Sequence, residues 1–347
     1  MDDVGEEMKL RDSRFELLRI ASMFMIVISH FAVYGNWDDI SSISAIDTTR
    51  ILVLDILGPI GAVIFFMIAG YFHSESDFEK KRLKSFSKVK QVWIKTWEYS
   101  VLMLAVSVVL KINVSMYAYI CAALPVIMNE YWFITCYIIL MLFVPYIDVL
   151  LQGLTKKQFS QLLLLLMCLM FVQLVNSEIV NRLIFAVFAH SLGYYIRKYS
   201  KQVIDGNRKT LMIVVIGAVF LDVLSIYISR KIGISFNHSA HFTQYVLPII
   251  IRGGVLVFIS TEVSVFESKI INLYAASVLP IYLITESTVF RDYMWSKLLN
   301  VGQYQNSPFF YLIAIGITIA LCLICSTFDI VVSNALKLVY RYITPKK

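Results

Sequence analysis

Apolar residues along this chain fall into long unbroken blocks rather than alternating with polar ones. Ten blocks stand out, at 17–35, 51–72, 95–111, 131–151, 160–176, 182–197, 210–228, 243–261, 271–291 and 308–330. Most approach the ~20 apolar residues that a helix needs to cross a bilayer. A further segment, 112–129, is apolar but short and carries Pro125; it reads as re-entrant, as a surface segment or as an eleventh element. The connectors are short, and none is long enough to fold as a domain of its own. The pattern predicts an all-α polytopic integral membrane protein of about ten transmembrane helices. It forms a single membrane domain over 1–347, with an N-terminal segment 1–16 and a C-terminal tail 331–347 outside the membrane.

Composition strengthens this reading. Of the 347 residues, 59% are hydrophobic and 16% charged, against roughly 45–50% and 25% in soluble domains. So few charges cannot cover a soluble globule, so a soluble enzyme or a nucleic-acid binder is excluded despite the net charge of +7. Lys and Arg crowd into the N-terminus, 73–94, 152–159, 197–209, 262–270 and the C-terminus. An excess of basic residues marks cytoplasmic loops, so both ends are expected in the cytoplasm. The acidic start (MDDVGEE) lacks the basic-then-apolar order of a cleavable signal, so block one is expected to stay as a span. Trp37, Trp93, Trp97, Trp132 and Trp295 fall at block ends, where aromatic belts form. The five cysteines lie in apolar stretches and show no metal spacing with histidine; no metal site is expected.

The informative residues are the ionisable ones inside the blocks: Arg19, His30, Asp55, His190, Asp222, Arg252 and Glu286. Such groups are expensive in a span and face a cavity or a partner. Arg19 and His30 are eleven residues apart, about 1100° or three turns plus ~20°, so they share a helix face roughly 16 Å apart. Glu16, Ser22 and Ser29 lie near the same stripe. A stripe this polar calls for water or protein beside it. A histidine in a span also serves as a plain interhelical hydrogen-bonding group, and an Asp222–Arg252 ion pair would account for those two residues if they meet.

Several segments together resemble acyltransferase family 3, the membrane acyltransferases that include bacterial surface-polysaccharide O-acetyltransferases. RFELLRIASMFMIVISHF carries Arg19, ten residues and His30, similar to the family's Arg-x10-His signature. GPIGAVIFFMIAGYF, Gly58 to Phe72, is similar to its second span, with Ala69 where Ser is usual. A basic stretch with WEYSV follows, then EYWFITCYIILMLFVPYID, FAHSLGYYIRKY and SVLPIYLITESTVFRDYMWSKL, in the family's order. Thr285 stands where many members have histidine. The family's paired-arginine motif is matched only loosely, by Arg82 with Lys84, Lys88 and Lys90.

The resemblance implies an acyl-CoA donor, acetyl-CoA by default, on the cytoplasmic side. It implies a polysaccharide or lipid-linked sugar acceptor on the other, in a bacterial plasma membrane. Basic clusters suit the phosphates of such a donor, which points to Arg14, Arg19, Arg82, Lys84, Lys88 and Lys90. His30 is then the base that accepts a proton from the attacking hydroxyl, or else a covalent carrier of the acyl group. Arg19 assists, and Glu286 orients His30 or binds the sugar. Two other readings stay open: a transporter of a saccharide or small anion, with Gly253-Gly254 as a candidate helix break, and an inactive relative that serves in an assembly. The membrane lipid is the surrounding partner; the sequence leaves the oligomeric state undetermined.

Overall fold

The computed structural model describes residues 12–38, 44–72, 77–172, 178–203, 208–232 and 236–343. Thirteen α-helices and no strand occur among them. Among the described residues, six stretches are long and apolar enough to span a membrane by themselves: Ser13–Val33, Ala45–Phe72, Phe78–Val109, Trp132–Gly153, Lys209–Lys231 and Phe310–Ala335. The protein is therefore a polytopic helical membrane protein. The core is built around α1 (Ser13–Val33), which packs against α2 (Ala45–Asp55), α3 (Leu57–Phe72), α11 (Lys269–Ala276), α12 (Val278–Glu286) and α13 (Phe310–Ile343). Around it stand α4 (Phe78–Val109), α6 (Trp132–Gly153), α8 (Glu178–Val203), α9 (Arg208–Lys231) and α10 (Phe236–Thr261), while α7 (Lys156–Val172) packs on α8.

Two of the expected blocks are broken helices. The block 51–72 divides between α2 and α3 at Ile56, and 271–291 divides between α11 and α12 at Ser277. The cause is the same in both. A proline lacks the amide proton and clashes with the carbonyl four residues back. Pro59 places that clash at Asp55, and Pro280 places it at Ala276. α12 itself ends at Glu286, short of the expected boundary at 291. No such break occurs at Gly253-Gly254, since α10 runs through them.

The basic segment 73–94 was expected to be a loop. From Phe78 onward it is the first half of α4, a helix of 32 residues, or about 48 Å at 1.5 Å per residue, against ~30 Å of hydrocarbon. Hydropathy marks only the apolar half of such a helix. Lys, Glu and Arg are good helix formers, so the helix continues into its polar half. The C-terminal tail behaves likewise: α13 extends to Ile343 rather than ending near 330. The segment 112–129 folds back against α4. α5 (Met116–Ala123) turns back along α4, and the Ser100 hydroxyl donates to the Ala122 carbonyl at 2.8 Å. Ser100 lies nine residues before the end of α4, roughly 14 Å back along its axis.

Close helix crossings rest on glycine. A Cβ on Gly70 of α3 would run into the His190 carbonyl of α8, and one on Gly193 of α8 into the Met67 carbonyl of α3. This reciprocal small-residue contact lets the two backbones touch. Gly58 and Gly61 do the same for α3 against Ser29 and Ser22 of α1. The polar stripe of α1 is thus covered partly by protein. Ser22 and Ser29 are buried, and their hydroxyls donate to the carbonyls of Leu18 and Ile26.

Candidate active site

His30 sits in the last turn of α1, opposite the last turn of α12. Its Nε2 lies 3.0 Å from Glu286 Oε2 and its Nδ1 lies 3.2 Å from Thr285 Oγ1. The Tyr34 hydroxyl donates to both carboxylate oxygens of Glu286, at 3.0 and 2.9 Å. Arg291 reaches Tyr34 Oη at 3.2 Å and Glu286 Oε1 at 3.5 Å, with its guanidinium 4.6 Å from the Tyr34 ring centre. His30, Thr285 and Glu286 are all buried. Every neighbour of the Glu286 carboxylate named here is a donor, or is one in the right tautomer, so the glutamate is held in place and in turn fixes the imidazole.

Local structure explains why these residues meet. Tyr34 follows His30 by four residues, one turn on the same face, and caps α1 through its amide to the His30 carbonyl at 2.9 Å. Beyond Glu286 the chain turns sharply, with the Arg291 amide bonded to the Ser287 carbonyl at 2.7 Å. The turn brings Arg291 back over Tyr34. Trp295, expected in an interfacial belt, is instead fully buried, and its Nε1–H donates to the Thr285 carbonyl at 3.3 Å. The neighbouring wall is Tyr282, 6.1 Å from the His30 ring, with Tyr131 6.0 Å from Tyr282. Glu130 ties in the turn by accepting from the Thr288 amide at 2.9 Å and the Thr288 hydroxyl at 2.6 Å.

The structure brings His30 and Glu286 together; the other expected site residues lie elsewhere. Arg19 pairs with Glu16 at 2.7 Å and its side chain keeps 33% exposure; Tyr137 of α6 is within its electrostatic reach. Arg14 is engaged structurally. It pairs with Asp12 at 2.6 Å and donates to the carbonyls of Ile259, Ser260 and Val263, capping the C-terminal end of α10. Arg82 pairs with Glu79 at 2.9 Å along α4, and Lys84, Lys88 and Lys90 are exposed on the same helix. Tyr34, Thr285 and Arg291 were not among the expected site residues. The signals for them were the four-residue offset of Tyr34 from His30, the place of Thr285 where many family members have histidine, and the closeness of Arg291 to Glu286 in sequence.

A second ionisable cluster lies where α4, α6 and α8 meet. Lys81 Nζ is 3.5 Å from Asp148 Oδ2, and His190 Nε2 is 2.8 Å from Asp148 Oδ1. Their side chains are exposed by 1%, 0% and 0%. This accounts for His190 as an interhelical partner. Lys81 was missed because it lies within the basic segment 73–94, and Asp148 because it lies three residues from the end of the block 131–151. Asp222 of α9 and Arg252 of α10 are both buried and within electrostatic reach of each other. Among the described residues no cluster of three or more metal-ligating side chains is found.

A family model described as "Acyltransferase domain" matches residues 12–327 of the chain. No curated protein matches, and no solved structure matches.

Proposed function

The chain belongs to this acyltransferase family, and from that premise we propose that it moves an acetyl group from acyl-CoA to a hydroxyl of a cell-surface or lipid-linked polysaccharide in a bacterial plasma membrane. The observation that supports this most is the buried His30–Glu286 contact at 3.0 Å, with Tyr34 and Arg291 holding the carboxylate. Acyl transfer to a hydroxyl needs a base within hydrogen-bond reach of the proton it removes. With Glu286 accepting from Nε2–H, the His30 lone pair stands at Nδ1, ready to take that proton. The tautomer is assigned from the hydrogen bonds.

The donor enters from the end of the bundle that holds the start of α1 and of α4. There the half-buried Arg82 and the exposed Lys84, Lys88 and Lys90 would meet the polyanionic donor, and Arg19 stands on the side of α1 that leads to His30. Phosphates bind such clusters through charge-assisted hydrogen bonds. That end is cytoplasmic by its basic content, and the His30 end, three turns away, faces the acceptor. α10 is continuous through Gly253-Gly254, so those glycines supply no helix break to a transporter reading.

The test is to incubate membranes bearing the protein with labelled acetyl-CoA and to look for an acetylated glycan. His30→Ala is expected to fold, insert and lose transfer by at least about 100-fold. Transfer by His30→Ala at the wild-type rate would remove His30 from the mechanism. Movement of saccharide without a new ester would support transport instead.

A further inference from the structure

Thr285 and Glu286 are consecutive residues at the end of α12, so their side chains leave the helix about 100° apart. The His30 imidazole lies between them and offers one nitrogen to each: Nδ1 to Thr285 Oγ1 at 3.2 Å, Nε2 to Glu286 Oε2 at 3.0 Å. Hydroxyl, imidazole and carboxylate in series is the arrangement that activates a hydroxyl as a nucleophile, with the base itself oriented by a third group. The carboxylate is held in turn by Tyr34 and Arg291. The Thr285 hydroxyl also lies 2.9 Å from the Ile281 carbonyl and 3.4 Å from the Tyr282 carbonyl, so its single proton has three acceptors, those two carbonyls and His30 Nδ1.

We propose that Thr285 is the first acceptor of the acyl group, so that transfer proceeds through an acyl-threonine ester. This inference rests on the acyl-transfer reading above and adds a covalent step to it. His30 Nδ1 takes the Thr285 hydroxyl proton while Oγ1 attacks the thioester carbonyl. The C–S bond breaks, and the leaving thiolate takes the proton from His30 to give free CoA thiol. In the second half, His30 Nδ1 takes the proton of the acceptor hydroxyl, whose oxygen attacks the threonine ester. The C–Oγ1 bond breaks and Thr285 recovers the proton from His30. No oxidant, reductant or further co-reactant is required. The two-step route also lets a polyanionic donor and a sugar acceptor use the site in turn.

The first half-reaction can be tested without knowing the acceptor. Purified full-length protein in liposomes is given [14C]acetyl-CoA, and separately acetyl-CoA with labelled CoA. The wild type is expected to retain label on the peptide containing Thr285 and to exchange acetyl between CoA molecules. Thr285→Val keeps the side-chain shape and is expected to lose both, with transfer to membrane glycan falling on the order of 100-fold. Thr285→Ser is expected to retain labelling, and His30→Ala to lose it. Label recovered on His30, or glycan transfer by Thr285→Val at the wild-type rate, would overturn the threonine step and leave the acyltransferase reading in place. A wild-type protein that neither exchanges nor transfers acetyl would remove both.

Discussion

At the residue scale, the site depends on how firmly one imidazole is held. His30 contacts Glu286, and Glu286 takes donors from Tyr34 and Arg291. Tyr34→Phe removes one of these donors while keeping the ring under Arg291. The expected result is a loss of about 1 kcal/mol in stability, typical of one hydrogen bond, with transfer falling on the order of tenfold as the glutamate is less constrained. Thermal unfolding in detergent and initial rates measured side by side would check this; an unchanged rate would show that Arg291 alone holds Glu286. Glu286→Gln keeps the size but replaces an anion with an amide that must choose between donating and accepting. It is expected to reduce transfer more than Tyr34→Phe does, since it alters the group that touches His30 directly.

At the element scale, two devices position the helices. One is the α3–α8 crossing, where Gly70 and Gly193 let each backbone reach the other's carbonyl. Gly193→Val is expected to cost more than about 3 kcal/mol through overpacking, visible as a lower yield of folded protein and a reduced melting temperature. The other is the Lys81–Asp148–His190 cluster joining α4, α6 and α8. Lys81→Met leaves Asp148 without its cation and is expected to cost about 3–5 kcal/mol. The double variant Lys81→Met/Asp148→Leu removes both buried charges and is expected to recover part of that loss. A double variant less stable than the single one would mean that the cluster stabilises more than its desolvation costs.

At the scale of the whole molecule, the proposed donor and acceptor sites lie at opposite ends of α1. The basic overhang of α4 marks one end and the His30 cluster the other. Replacing Lys84, Lys88 and Lys90 with Gln is expected to raise KM for acyl-CoA and to leave the fold intact, because all three are exposed. The effect should shrink between 0.1 M and 1 M salt as the screening length falls from ~10 Å to ~3 Å. A KM independent of both charge and salt would place the donor elsewhere. Much of this was legible in the amino-acid sequence by itself. Apolar block length determined the membrane class, because backbone groups in lipid must satisfy one another within helices. The eleven-residue spacing placed Arg19 and His30 on one face, because the helical repeat is local. The sixth matched segment carried Glu286 and flagged Thr285. Only the tertiary structure decided that Glu286 and Thr285 meet opposite nitrogens of His30, that Arg291 folds back over Tyr34, and that Lys81 turns inward while Lys84 stays exposed. Those contacts join residues up to 257 positions apart. They depend on proline breaks, glycine crossings and a sharp turn acting together, and no local period in the chain encodes them.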